Sequence, residues 1–383
     1  MLPMELQIAS SIASLETSEW NQVAGTACPF LRHEFLLALE RHGAVGEGYG
    51  WLPRYLLARE GGQLVGAVPL YLKDNSYGEF VFDWAWADAY HRHGLPYYPK
   101  AVVAVPYTPA TGPRLLMHPG ADRARVATGL IEMARALMEQ EGLSSLHWLF
   151  TDADDTALLC EQGFMPRLGC QFHWHNHGYR DFEHFLSQLN SRKRKQLRRE
   201  RRQVCDAGVD LQVVHGNEMN QEQWSVMHAF YRSTFERKSG IPTLSQGFFE
   251  EVGRTMGEQL VLVFAHHQGR PVAGAINFRG RDTLYGRHWG CREEFHSLHF
   301  EACYYQGIEY CIANGLSRFE PGAQGEHKIS RGFLPTATWS AHWIQDEAFR
   351  NAIGDFLRRE QHGMRDYMET LMEHSPYRQE QLA

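Results

Sequence analysis

GGQLVGAVPLYLKDNSYGEFVF at 61–82 and QGRPVAGAINFRGRDTLYGRHW at 268–289 read alike. Each opens on a glycine-containing turn and continues as a strand with a small-residue step, VGA in one and VAGA in the other. Each then turns again and ends in aromatics. Short turns of this kind join antiparallel neighbours. Each block is followed by a helical pattern and a short strand, at 121–141 and 145–150 in the first half, and at 300–314 and 318–321 in the second. The chain therefore reads as an internal duplication of one mixed α/β plan.

Working outward, the first half begins with a strand at 5–12 and helices at 18–24 and 32–42. A strand pair within 55–73 surrounds Glu60-Gly61-Gly62, and strand-like text continues over 78–86. The stretch 89–113, rich in Pro, Tyr and His, reads as a long irregular insertion. A short helix at 154–162 stops at Gly163. The second half has a strand at 210–215 and helices at 221–237 and 245–256, with Ser245 as N-cap. Strands follow at 260–267, 271–279 and 283–290, then the helix at 300–314 closed by Gly315. A strand at 336–344 and a helix at 346–372 complete the chain. No GxGxxG or Walker glycine pattern follows a strand, which argues against dinucleotide and P-loop folds.

The 383 residues suit two domains. A hydrophobic fraction of 43% with ten Trp and sixteen Tyr supports a substantial core. The net charge of −7 makes the whole molecule a poor generic nucleic-acid binder, so any polyanion site must be local. No apolar run approaches the roughly 18 residues of a membrane span. The acidic N-terminus does not read as a signal peptide. Seven scattered cysteines without a CxxC pair point to a reducing, cytoplasmic setting.

SRKRKQLRRERRQVCDAGVDLQVV at 191–214 resembles the opening of the second domain in FemAB-type acyltransferases, with Arg194, Leu197, Arg198, Arg201 and Gly208 at the matching places. LYGRHWG at 284–290, the long run at 298–335 and TWSAHW at 338–343 resemble the FemAB-like predicted N-acyltransferase group of the GNAT superfamily. The resemblance implies an α/β fold with mixed sheets, a tandem pair of GNAT-like domains in FemAB-type architecture. The expected division is a first domain at 1–180, a basic connecting helix at 181–208 and a second domain with its closing helix at 209–383. The resemblance also implies amide-forming transfer of an acyl or aminoacyl group to an amine, on a small-molecule or peptide acceptor related to peptidoglycan precursors. No tightly bound cofactor is expected; the acyl donor, aminoacyl-tRNA or acyl-CoA, is a co-substrate. The ordinary GNAT pyrophosphate signature is absent from both halves, which favours tRNA over acetyl-CoA.

The candidate site has several parts. Residues 192–202 hold eight Lys/Arg and one acid, Glu200. Read as a helix, Leu186, Leu189, Leu197 and Val204 form a stripe, with Arg194, Arg198, Arg201 and Arg202 on the other side. Like charges one turn apart repel, so this face is expected to meet phosphates. FEPGAQGEHKISRGF at 319–333 places Glu320 at a strand end before a glycine loop. Glu320 or His327 can take a proton, and Gln324 with loop amides can hold an oxyanion. Lys328 and Arg331 can hold donor phosphate. On the strand 284–290, alternation sets Tyr285, Arg287 and Trp289 on one side and His288 on the other, lining the acceptor site. His288 joins Glu320, His327 and Gln324 as a catalytic candidate. Glu301 is a further binding candidate.

HWHNH at 173–177 puts three histidines on one strand face, but no further ligand stands at metal spacing, so no metal is expected. Cys303 sits in an apolar helical pattern, and no GxSxG elbow is present. The basic run and the turn near 325 are expected to border one cleft. Two other readings stay open: a non-catalytic RNA- or nucleotide-binding protein, and an ordinary acetyl-CoA-dependent N-acetyltransferase.

Overall fold

The computed structural model describes residues 3–237, 240–323 and 325–378. It divides into two compact units, Met1–Cys170 with Ala337–Tyr367, and Gln171–Thr336 with Met368–Ala383. These limits differ from the expected 1–180, 181–208 and 209–383. The basic helix Ser191–Asp206 lies wholly within the second unit, and most of the closing helix Glu347–Met372 belongs to the first. Strand pairing is the reason. Strand Leu334–Ile344 pairs antiparallel with Ser145–Thr151 of the first half, from Trp339 opposite Thr151 to Ile344 opposite Ser145. Conversely, the end of Met165–His175 pairs with Arg318–Glu320 of the second half, with Trp174 opposite Phe319. Each half of the sequence completes the other unit's sheet.

In the first unit, strands Tyr55–Glu60 and Gln63–Val68 form the expected hairpin, with Gly61 and Gly62 both at positive φ. Pro69, with no N–H to give, interrupts the second strand, which resumes as Leu70–Lys73. That segment pairs with Lys100–Val103, which runs parallel to Ser145–Thr151. Helix Arg123–Gln140 buries Val126, Leu130, Ile131 and Ala134 against Leu56, Val68 and Trp148.

The third strand of this meander is therefore Lys100–Val103, inside the stretch expected to be irregular, and 78–86 is not a strand. Buried charge explains the difference. Lys100 Nζ donates to Glu79 Oε2 and Ser76 Oγ at 2.8 Å each, and to Asp83. Burial pushes the Glu79 carboxyl up to about 7. Asp83 feels the same burial, but the Lys100 charge outweighs it and holds that carboxyl below its ordinary value. Strand alternation would put Glu79 on the face of Tyr77, yet Glu79 is buried and Tyr77 is 70% exposed. Positive φ at Gly78 and Phe80 breaks the alternation, and the chain goes on into helix Trp84–Arg92.

The second unit holds one sheet in the order Val209–His215, Leu260–His267, Arg270–Arg279, Thr283–Cys291, Arg318–Glu320 and the end of Met165–His175. The pairs are antiparallel except Thr283–Cys291 with Arg318–Glu320, which is parallel. Parallel pairing recurs at the matching place in the first unit, between Lys100–Val103 and Ser145–Thr151. Helix Gln221–Arg237 packs on one face, and the helical run from Leu298 to Ala313 packs Ile308 and Cys311 with Leu284 and Phe319 on the other. That run contains one π turn, Glu301–Tyr305, a distortion that recurs at functional sites.

Gly290 makes the first contact possible, because an added Cβ would stand 1.7 Å from the Phe230 carbonyl oxygen. We expect Gly290→Ala to displace the helix and cost about 3 kcal/mol or more, as overpacking against rigid backbone does. Thermal denaturation checks this, and an unchanged Tm would refute it.

Candidate active site at the parting of two parallel strands

The parallel pairing covers only Thr283, Leu284 and Tyr285 opposite Arg318, Phe319 and Glu320. Pro321 then removes a ladder donor and Gly322 takes φ 99°, so the short strand turns away while Thr283–Cys291 runs on. Here the longer strand carries a β-bulge. Ile276 stands opposite His288 and Asn277 opposite Gly286, leaving Arg287 as the extra residue.

The bulge corrects the expected alternation. Arg287 feels the charge of Tyr231, whose ring lies 4.8 Å from that of His288. Trp289 turns to His299, with ring centroids 5.4 Å apart. Burial pulls Arg287 down to about 10, against the charges of Glu320 and Tyr231. Burial and the Arg287 charge push His288 down to about 3, so its imidazole is neutral. Glu320 is 4% exposed, with Arg318 Nε 3.2 Å from its Oε1. His173, on the strand flanking Arg318–Glu320, is also held neutral. Burial, then Arg318, His175 and Lys328, push it down to about 3. Its place in HWHNH was legible, but its role as a buried neighbour of these cations was not.

A 3-10 turn, Glu326–Arg331, follows. Gln324 lies outside the described residues. His327 Nε2 is 2.9 Å from the Tyr304 hydroxyl of the π turn. Burial, Arg331 and Lys328 all push this histidine down. Lys328, 2% exposed, donates to the Gly322 carbonyl at 2.7 Å, which ties the turn to the strand end. Burial pulls its ammonium down to about 8. The Arg331 guanidinium lies 3.3 Å above the Phe300 ring. It donates to Glu200 through Nη2 at 2.8 Å and Nε at 3.2 Å, and through Nη1 to the His327 carbonyl at 2.8 Å. Glu200, 6% exposed, also accepts from the Tyr305 hydroxyl and from Gln196 at 2.9 Å.

The basic helix begins at Ser191, with the Asn190 side chain accepting from Lys193 N–H, so Leu186 and Leu189 lie outside it. Its buried stripe is Leu197, Glu200 and Val204. The premise that its arginines lack counter-charges is corrected by acids distant in sequence. Arg201 donates to Glu309 at 2.7 and 3.0 Å and to Glu301 at 3.0 and 3.1 Å. Burial acts to lower Arg201, but these bonds win and raise it. Glu301 is raised by burial against Arg201. It is therefore the counter-ion of a protein arginine as the chain stands. Arg198 pairs with Glu183, and Arg194 makes a long contact of 3.4 Å to the Leu189 carbonyl. Arg192, Lys195, Arg199 and Arg202 remain on the exposed surface.

The fold thus gathers Tyr285, Arg287, His288 and Glu320 at the strand end, joined to His327, Lys328 and Arg331 by the Lys328–Gly322 bond. It brings the basic helix to the turn through Glu200 rather than through an arginine. Arg194 and Arg198 turn instead to the Leu189 carbonyl and to Glu183. Among the described residues no group of three or more His, Cys, Asp or Glu is set to hold a metal.

A family model described as peptidoglycan biosynthesis/recognition matches residues 11–379. The chain belongs to the FemAB-like family. The crystal structure of FemX is similar over 91% of this chain and 100% of its own, with 11% identity and a TM-score of 0.54. The structure of L-PGS from Bacillus licheniformis is similar over 88% of this chain and 98% of its own, with 10% identity and a TM-score of 0.51. No curated protein matches in sequence. The fold of this FemAB-like chain is the tandem GNAT arrangement.

Lys328 gives the site a testable pH signature. Its folded value of about 8 lies below the ordinary 10.5, so the unfolded chain holds that proton more tightly between the two. Stability therefore rises with pH across this window, and below about pH 8 the full penalty is present. A shift of this size corresponds to at most roughly 3 kcal/mol. Lys328→Met is expected to raise stability at pH 7, with the gain fading toward pH 10.5. Urea denaturation at both pH values checks this, and destabilisation at pH 7 would count against it.

Proposed function

We propose that this FemAB-like protein is an N-acyltransferase that joins an aminoacyl group, delivered on tRNA, to the amine of a peptide acceptor related to peptidoglycan precursors. The observation that carries the reading is the parting of the parallel strands, with Glu320 at the end of the shorter one, Arg287 and His288 on its longer neighbour, and Lys328 tethered to Gly322 just beyond Glu320. Family membership supports transfer chemistry at such a place.

In this reading the acceptor amine attacks the ester carbonyl directly, forming the C–N bond as the C–O bond to the carrier breaks. Glu320 holds the incoming ammonium and takes its proton. Neutral His288 accepts a hydrogen bond from the acceptor, because a neutral imidazole keeps one lone pair. Lys328 faces the negative charge that grows on the carbonyl oxygen or carrier phosphate. The amine's second proton goes to the departing oxygen through the His327–Tyr304 pair, which takes one proton as it gives another. The exposed cations Arg192, Lys195, Arg199 and Arg202 lie spread along a helix face, which suits a long polyanion better than a single pyrophosphate. No described helix is long and apolar enough to cross a membrane. Together with seven free cysteines, this supports work in a reducing compartment.

The test measures amide formation with charged tRNA or acetyl-CoA as donor and a muropeptide amine as acceptor. We expect turnover with the first and a salt-sensitive KM. Glu320→Gln should lower kcat by about 10²–10⁴-fold while the circular dichroism spectrum stays unchanged. Turnover with acetyl-CoA alone would reject the donor, and full activity of Glu320→Gln would reject the proposed proton acceptor.

A further inference from the structure

We propose that Glu200, the only acid in the basic run 192–202, is the positioning residue of the catalytic turn, acting through Arg331 on His327 and Lys328. This rests on the acyl-transfer reading of that turn.

The geometry is a relay of direct bonds. Glu200 projects from the buried stripe of its helix, between Leu197 and Val204. Both its oxygens take Arg331, through Nη2 at 2.8 Å and Nε at 3.2 Å, the two-pronged pairing that fixes a guanidinium in angle as well as distance. Arg331 is then pressed onto Phe300 at 3.3 Å, beside the π turn, and its free prong donates to the His327 carbonyl at 2.8 Å. His327 and Lys328 are consecutive, so one bond sets the backbone from which both side chains leave. The Tyr305 hydroxyl and Gln196 occupy further lone pairs of Glu200, so the carboxylate is locked as well as buried.

The alternatives explain less. A charge run needs no buried acid for solubility, and a salt bridge this deep adds little net stability over an apolar pair. Its distinctive contribution is direction. It also joins the helix that would carry the donor's phosphates to the turn that would act on the donor's ester.

The test uses the full chain with Glu200→Gln, Glu200→Asp and the paired replacement Glu200→Met with Arg331→Met. The last removes both charges together and leaves no buried orphan, so it keeps the question open to measurement should Glu200→Gln fail to fold. Two readouts are taken. The first is amide hydrogen exchange across residues 326–331, together with the rate at which an amine-reactive reagent labels Lys328. The second is the split of kcat from KM in amide formation.

We expect Glu200→Gln and the double variant to raise exchange in the turn and labelling of Lys328 about tenfold, the loss of one charge-assisted bond. Exchange in the Ser191–Asp206 helix core should stay unchanged. kcat should fall about tenfold or more with KM for the acceptor held, and Glu200→Asp should recover part of it. Glu183→Gln, which strips a partner from exposed Arg198 on the same helix, should leave both readouts at the wild-type level. Wild-type exchange and labelling in folded variants would overturn the proposal. Exchange and labelling do not depend on catalysis, so a failure of the acyl-transfer reading leaves them interpretable.

Discussion

Parallel strands can part inside a sheet only if the backbone groups they release find other partners. In the second unit the parting is enforced by Pro321, which has no N–H to continue the ladder, and by Gly322, whose positive φ turns the chain away. The released Gly322 carbonyl is taken by the Lys328 ammonium. One polar bond thus closes the ladder's end and holds a cation beside the opening. The bulge on the longer strand completes the arrangement by bringing His288 to the ring of Tyr231, whose charge Arg287 feels.

The charges around it follow one rule. Burial lowers the cations and histidines and raises the acids, and a partner offsets this in part, as for Glu79 and Glu301, or in full, as for Asp83 and Arg201. Arg201 is answered twice, by Glu301 and Glu309, and ends above its ordinary value. Lys328 is answered by a single carbonyl and ends well below. The imidazoles of His173 and His288 are simply kept neutral. In the first unit Lys100 settles Glu79, Asp83 and Ser76 at once, a structural use of the same chemistry. Buried ion pairs of this sort contribute more to defining one arrangement than to net stability.

Most of the architecture was legible because local rules and tertiary structure agree. Turns at Gly61-Gly62 and Gly269, the Ser245 cap and the Gly315 stop all act where the residues say they should. The misreadings have physical causes. Segment 78–86 has strand-like aromatics, but Lys100 draws Glu79 and Asp83 inward, a contact that periodicity cannot anticipate. The bulge leaves no compositional mark, so strict alternation does not place Arg287. The basic run was judged on its own helix, whereas its counter-charges, Glu183, Glu301 and Glu309, come from elsewhere in the unit. The helical period alone sets Glu200 in the apolar stripe with Leu197 and Val204, the one acid of the run on its buried side.

The reciprocal lending of strands bears on how the chain is made. Ser145–Thr151 receives its antiparallel partner only from residues Trp339 to Ile344. During synthesis at about 5–20 residues per second, that edge emerges from the ribosome many seconds before its partner exists. Until then the strand, LHWLF flanked by Ser and Thr, is paired on one side only, by Lys100–Val103, and its other edge is of the kind that pairs with other chains. Such a protein cannot mature domain by domain from its N-terminus. Its expression should lean on chaperones that guard nascent β edges, and cutting it between the halves should leave two fragments that need each other to fold.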